Sequence, residues 1–162
     1  MSYATYVQRS LAVARALNAG GCGGSYHEAC LLAASLSSGL SAIAWPKQKD
    51  KARFVEGWAK LADASLGATK ISLPLLLRWL TKGGRDGEAD QIRALRPEML
   101  GPGQECRIVT GDEVDADEPE VRAACPRLTA DEVRRHAYAH VFYKQMRSSL
   151  VHEYALGDEA AV

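Results

Sequence analysis

Two side chains near the C-terminus, Arg147 and His152, are of the types that reactions at a phosphate group require. An arginine stays charged at physiological pH and grips phosphate oxygens with paired N–H donors. A histidine titrates near neutral pH and can both accept and deliver a proton. On an α-helix the two side chains lie about 140° apart, so either the arginine reaches around the helix or a second protomer completes the site.

Two neighbours extend this group within the string YKQMRSSLVHEY, residues 143–154. Ser148 lies four residues before His152, on the same helical face, where its hydroxyl can orient the imidazole. Tyr154 lies seven residues after Arg147 and shares the face of the arginine. The string therefore predicts a small polar site on one helix.

The Arg-x4-His-x-Tyr string resembles the HEPN superfamily of bacterial and archaeal helical bundles. In that family an arginine followed shortly by a histidine marks the active site of metal-independent ribonucleases, and two protomers pair so that both motifs line one cleft. The resemblance implies that Arg147 and His152 are the catalytic pair. It implies that Ser148 is a helper, at a position where the family commonly has Asn or another polar residue. It also implies an RNA substrate, a homodimer, and no metal or other cofactor.

The HxY ending is similar to the toxin of a HEPN/nucleotidyltransferase toxin–antitoxin pair. In those pairs the antitoxin modifies the tyrosine with AMP, which implies that Tyr154 is a modification site or a wall of the active site. The alternative function is a noncatalytic HEPN-like module that binds nucleotide, RNA or a partner protein. A nuclease needs Arg147 and His152 of both protomers to face one open, positively charged cleft.

The composition predicts a soluble globular domain. The 162 residues include 47% hydrophobic and 25% charged residues, with a net charge of zero, which excludes a generally basic coat for nucleic acid but leaves room for a local basic patch. No apolar stretch approaches the roughly 18 residues that span a membrane, and the N-terminus lacks the order of a secretory signal. The four cysteines form no C-x-x-C pair, so we expect reduced thiols in a cytoplasmic protein.

Helical patterns predict an all-α bundle of four or five up-and-down helices in a single domain, residues 1–162. The first helix stops at the glycines of residues 20–24, and Ser25 with Glu28 forms a capping box for the second. Further helices are predicted over 50–63, 71–81 and 86–96. In contrast, residues 97–128 combine prolines and glycines with six acids between Asp112 and Glu120. They predict a surface insertion, either a long loop or a small hairpin.

The last predicted helix carries the motif. Thr129 and Glu132 form a second capping box, and neither glycine nor proline interrupts the pattern before Gly157. An apolar stripe recurs along this helix at three- to four-residue spacing. Because this stripe and the motif share a helix, we expect a two-fold dimer through residues 129–156. The stripe consists of Tyr143, Met146, Leu150 and Tyr154.

Three weaker patterns have both a structural and a functional interpretation. His136 and His140 have the spacing of zinc ligands, which Cys106 and Cys125 could complete, but no known zinc motif has these spacings. Phe54, Trp58 and Trp79 are aromatic residues of a core or a base-stacking surface. A basic run either forms a solvated loop or contacts RNA phosphates. That run contains Lys47, Lys49, Lys51 and Arg53.

Overall fold

The computed structural model describes residues 2–62, 67–100 and 111–148, and most of these residues are helical. The predicted all-α fold class is therefore confirmed. Within these ranges, β-type pairing is confined to isolated bridges from Ile71 to Ala116 and to Ala137. None of the helices in the same ranges is long and apolar enough to cross a membrane.

The described chain divides into two compact units. Residues 2–62 and 141–148 form one, the terminal unit, and residues 67–100 and 111–140 form the other, the central unit. The single domain predicted over residues 1–162 stays a prediction.

The terminal unit is built from three α-helices and a π-helix. They are α1 (Tyr3–Asn18), α2 (Tyr26–Ala44), α3 (Asp50–Leu61) and the π-helix Phe142–Ser148. As predicted, α1 ends before the glycine cluster, where Gly20 has a φ of 77° that other residues rarely adopt. The Ser25–Glu28 capping box forms at the start of α2. Helix α2 contacts α1, α3 and the π-helix, so it is the central element of this unit.

The central unit contains more and shorter helices than the sequence predicted. They are α4 (Leu73–Lys82), α5 (Asp86–Arg93), α6 (Pro97–Leu100), α7 (Gly111–Val114), α8 (Glu118–Ala124), α9 (Ala130–Arg134) and the first residues of α10 (Tyr138–Val141). Pro74 lies in the first turn of α4, where a missing N–H costs little. Helix α4 provides the centre of the core, which includes the fully buried side chains of Leu73, Leu76 and Leu80.

The surface insertion predicted over 97–128 is wrong for residues 111–128. Instead of a loop or hairpin, these residues form α7 and α8, and Val121, Cys125 and Leu128 lie in the core. Val121 lies in α8, Cys125 caps its end and Leu128 follows in the next turn, so three apolar side chains reach the core from a segment rich in acids. Three of the six acids form ion pairs with other parts of the central unit: Lys70–Asp117, Arg96–Glu120 and Arg134–Glu118. Residues 101–110 lie outside the described residues.

The prediction of one continuous helix from residue 129 is also wrong. The Thr129–Glu132 capping box forms as predicted, but α9 ends at Arg134. After this point the chain pairs with the segment that precedes α4: the Tyr138 N–H donates to the Lys70 carbonyl, and the Ser72 N–H donates to the His136 carbonyl. These long-range bonds, 3.1 and 3.0 Å, replace bonds that would have continued the helix.

Candidate functional site

The predicted site residues fall at the edge of the described structure. Arg147 and Ser148 belong to the π-helix, for which the backbone of these two residues is described. His152 and Tyr154 lie outside the described residues. The rotation predicted between Arg147 and His152 lies mostly outside the described residues, but the residues that lead to it, 142–148, form a π-helix, in which bonds join residues five apart. π-Helices are rare and often occur at functional sites.

Aromatic stacking fixes the beginning of the π-helix onto α3. The Phe142 ring lies 4.7 Å from the Trp58 ring and 5.8 Å from the Phe54 ring, between ring centres. The Tyr143 ring meets Phe54 edge to face at 5.4 Å. Phe54 itself is completely buried. Phe54 is therefore a core residue with the half-buried Trp58 beside it, and the segment that leads to Arg147 is positioned by packing.

A hydrogen bond adds a polar anchor beside these rings. The Tyr143 hydroxyl donates to the Asp50 carboxylate at 2.9 Å, and the Arg53 guanidinium pairs with the other carboxylate oxygen at 3.0 Å. Asp50 is the first residue of α3. This contact spans 93 positions of the sequence, and the stripe at 143–154 gave no sign of it. Tyr143, predicted to face a second protomer, thus makes its polar contact within its own unit.

The charge of the two units differs in sign. The described residues of the terminal unit include nine Lys/Arg and three Asp/Glu, whereas those of the central unit include ten and twelve. Arg147 therefore belongs to a basic unit inside a chain of zero net charge. Such a local excess of positive charge favours anionic ligands.

Trp79 and His136, two of the other candidates, contact side chains of the central unit. The Arg85 guanidinium lies over the Trp79 ring at 5.3 Å, and the His136 ring lies 5.4 Å from the same ring. Arg85 in turn pairs with Glu88 and Glu132. Cys106 lies outside the described residues, and within them no group of three His, Cys, Asp or Glu side chains is placed to hold a metal ion. The zinc interpretation of His136 and His140 gains no support.

A polar cluster in the central unit, which joins the buried Asp115 to the partly exposed Tyr138, was not foreseen from the sequence. Asp115 is only 7% exposed, and its carboxylate accepts a hydrogen bond from the Tyr138 hydroxyl. Ser72 also hydrogen-bonds to Tyr138. Burial, followed by the neighbouring Asp115 carboxylate, raises the pKa of Tyr138 to about 12. Tyr138 therefore keeps its proton, and acts as a hydrogen-bond donor, to a higher pH than an ordinary tyrosine.

This cluster predicts a loss of stability at alkaline pH. The pKa of Tyr138 in the folded protein lies above its ordinary value of about 10, because the folded state favours the protonated hydroxyl. The stabilisation that this hydroxyl provides is therefore complete below pH 10 and is lost as the pH rises to about 12. We expect the free energy of unfolding to fall more steeply across that range in the wild type than in Tyr138→Phe. Urea titrations at several alkaline pH values measure both slopes. Parallel curves would contradict the role of this proton.

Comparison of the chain with protein-family models, curated proteins and solved structures gives no match in any of the three. The resemblance to the HEPN superfamily rests on residues 143–154 alone and stays a prediction.

Proposed function

We propose that this protein is a metal-independent endoribonuclease of HEPN type. His152 accepts the proton of a ribose 2′-hydroxyl, and the 2′ oxygen attacks the adjacent phosphorus. Arg147 neutralises the charge that develops on the five-coordinate phosphorus. The bond to the 5′ oxygen breaks and that oxygen takes a proton from water, while His152 returns its proton to the solvent, which leaves a 2′,3′-cyclic phosphate and a 5′-hydroxyl. Ser148 orients the imidazole, and Tyr154 forms a wall of the site or is modified.

The observation that carries the proposal is the Arg147-x4-His152-x-Tyr154 string in an all-α protein. Two features of the described residues support it. Arg147 belongs to a π-helix, an element that is common at functional sites, and this helix is anchored by Phe142 and Tyr143. The unit that contains Arg147 also carries the excess of positive charge that a polyanionic substrate requires.

The same proposal includes the partners that the motif implies. The enzyme acts as a homodimer in the cytoplasm, with the motif segments of two protomers lining one cleft. A toxin of this kind is held inactive by a nucleotidyltransferase antitoxin that modifies Tyr154. Because Tyr143 hydrogen-bonds to Asp50 in its own unit, the dimer contact uses the part of the predicted stripe that follows it.

The proposal is tested with purified full-length protein and labelled single-stranded RNA. We expect fragments that end in a 2′,3′-cyclic phosphate, because attack by the 2′-hydroxyl yields no other primary end. Cleavage is expected to persist in EDTA, since an imidazole and a guanidinium carry the proposed chemistry. Mass spectrometry of the fragment ends measures the product. Fragments with 3′-hydroxyl ends would contradict the mechanism, and RNA binding without cleavage would favour the noncatalytic module.

A further inference from the structure

Three lysines lie where α2 is joined to α3: Lys47 in the turn, Lys49 at the N-cap of α3 and Lys51 in the first turn of α3. Lys47, Lys49 and Lys51 are all exposed to solvent. Among the ion pairs of the described residues, none involves these three lysines. We call this group the lysine turn. Lysines in this state remain surrounded by water and counterions that an anionic ligand can displace.

The acids beside the lysine turn are already neutralised by other groups. Between residues 45 and 60 the sequence has two acids, Asp50 and Glu56. The Asp50 carboxylate forms an ion pair with Arg53 and accepts a hydrogen bond from the Tyr143 hydroxyl. The Glu56 carboxylate forms an ion pair with Lys60 and accepts a hydrogen bond from the Gln48 side-chain amide. These contacts hold the pKa of Glu56 below its usual range. Neither acid of residues 45–60 therefore cancels the positive charge of the lysine turn.

The shape of the lysine turn is fixed by packing and hydrogen bonds. At the end of α2, the Trp45 N–H donates to the Ser41 carbonyl. The Trp45 ring packs against Gly57 of α3, where an added Cβ would be 3.4 Å from the ring. Gln48 reaches Glu56 on α3 at 3.2 Å. These contacts fix the backbone on both sides of the turn. The backbone positions of the lysines are therefore set before a ligand binds.

The hydrogen bond between Asp50 and Tyr143 connects the lysine turn to the motif segment. Asp50 lies between Lys49 and Lys51, and Tyr143 begins the string that contains Arg147 four residues later. The lysine turn and the motif segment belong to the terminal unit, so contacts within this unit set the distance between them. A single-stranded RNA is a polyanion long enough to contact a basic turn and a reaction site together.

We infer that the lysine turn is the phosphate-binding surface that holds single-stranded RNA for cleavage. This inference rests on the proposed ribonuclease function, since it assigns the binding surface of the same site. Each lysine contributes by releasing counterions from the RNA, without reading its sequence. The lysine turn accordingly supplies affinity and salt dependence, whereas the motif residues supply the chemistry.

The test is the triple variant Lys47→Gln/Lys49→Gln/Lys51→Gln, with RNA binding measured by fluorescence anisotropy at several salt concentrations. Loss of three phosphate contacts is expected to reduce the slope of log K against log salt by about 2, because each contact on a single strand contributes about 0.7. Between 50 and 200 mM salt, the wild type should then lose about 20-fold more affinity than the triple variant. Circular dichroism checks that the variant folds.

Two control variants make the result specific. Arg78→Gln/Lys82→Gln/Arg122→Gln removes the same charge from exposed positions of the central unit and should retain the wild-type slope. Lys47→Arg/Lys49→Arg/Lys51→Arg keeps the charge and should retain binding. Equal slopes for the wild type and the glutamine variant of the lysine turn would overturn the inference, as would binding to anionic lipid vesicles without binding to RNA.

The binding and cleavage measurements separate this inference from the proposed function. If the wild type binds RNA through the lysine turn but yields no fragments, the ribonuclease proposal fails and the binding surface stands. If the wild type cleaves RNA and the triple variant binds and cleaves it equally well, the lysine turn is excluded and the ribonuclease stands.

Discussion

Replacement of His152 by Ala is expected to lower the rate of RNA cleavage by about 10²–10⁴-fold, the usual effect of removing a general acid–base. The imidazole is the group of the motif that exchanges a proton near neutral pH. The wild-type rate should therefore change with pH around an imidazole pKa of about 6.5, and the residual activity of the variant should lack this dependence. Single-turnover cleavage of labelled RNA across the pH range measures both effects.

A second histidine provides the matched control. His27 is exposed in α2 of the terminal unit, so His27→Ala should leave the cleavage rate unchanged. Arg147→Lys keeps the positive charge but loses the paired donors that fit phosphate oxygens, and it should lower the rate while retaining most RNA binding. If the wild type and His152→Ala cleave equally, the activity does not come from this motif and the noncatalytic module becomes the better explanation.

Local features of the fold could be predicted from the sequence. Both capping boxes, Ser25–Glu28 and Thr129–Glu132, form at the predicted positions because each depends on residues three apart. The glycine that ends α1 needs a backbone conformation available to few other residues, so it is equally local. The all-α class follows from the number of such helical segments.

Features that depend on distant contacts could not be predicted. The break after Arg134 arises because Ser72 and Tyr138 bond to backbone groups more than 60 positions away, at His136 and Lys70. The acid-rich segment looked like a surface insertion because its composition outweighed three apolar residues that lie in the core, Val121, Cys125 and Leu128. The average composition of a segment hides the few apolar side chains that it buries.

In the candidate site, too, local features could be predicted from the sequence and distant contacts could not. Residue types and spacing predict Arg147 and His152 as site residues, since the motif lies within twelve consecutive residues, and this stays a prediction. The contact that anchors the segment, from Tyr143 to Asp50, joins the end of the chain to its first third. The residues around Asp50 and those around Tyr143 do not specify this contact, because aspartates are common at helix ends and tyrosines on helical faces.

Substitution of Phe54 by Ala is expected to lower the free energy of unfolding by about 3–5 kcal/mol, the range for a buried aromatic residue. The Phe54 side chain is fully buried and packs against Trp58, Phe142 and Tyr143. Its removal deletes the apolar contacts and leaves a cavity at the base of the π-helix. Urea denaturation followed by circular dichroism measures the change.

The same helix supplies the control for this prediction. Leu61 is 75% exposed at the end of α3, so Leu61→Ala should change the free energy of unfolding by no more than about 0.5 kcal/mol. Phe54→Leu retains part of the apolar volume and should fall between the two. Since Phe54 also holds Phe142 and Tyr143, its loss should free the segment that carries Arg147, so Phe54→Ala should reduce RNA cleavage even at temperatures where the protein stays folded. A Phe54→Ala protein as stable as Leu61→Ala would show that these rings do not anchor the π-helix.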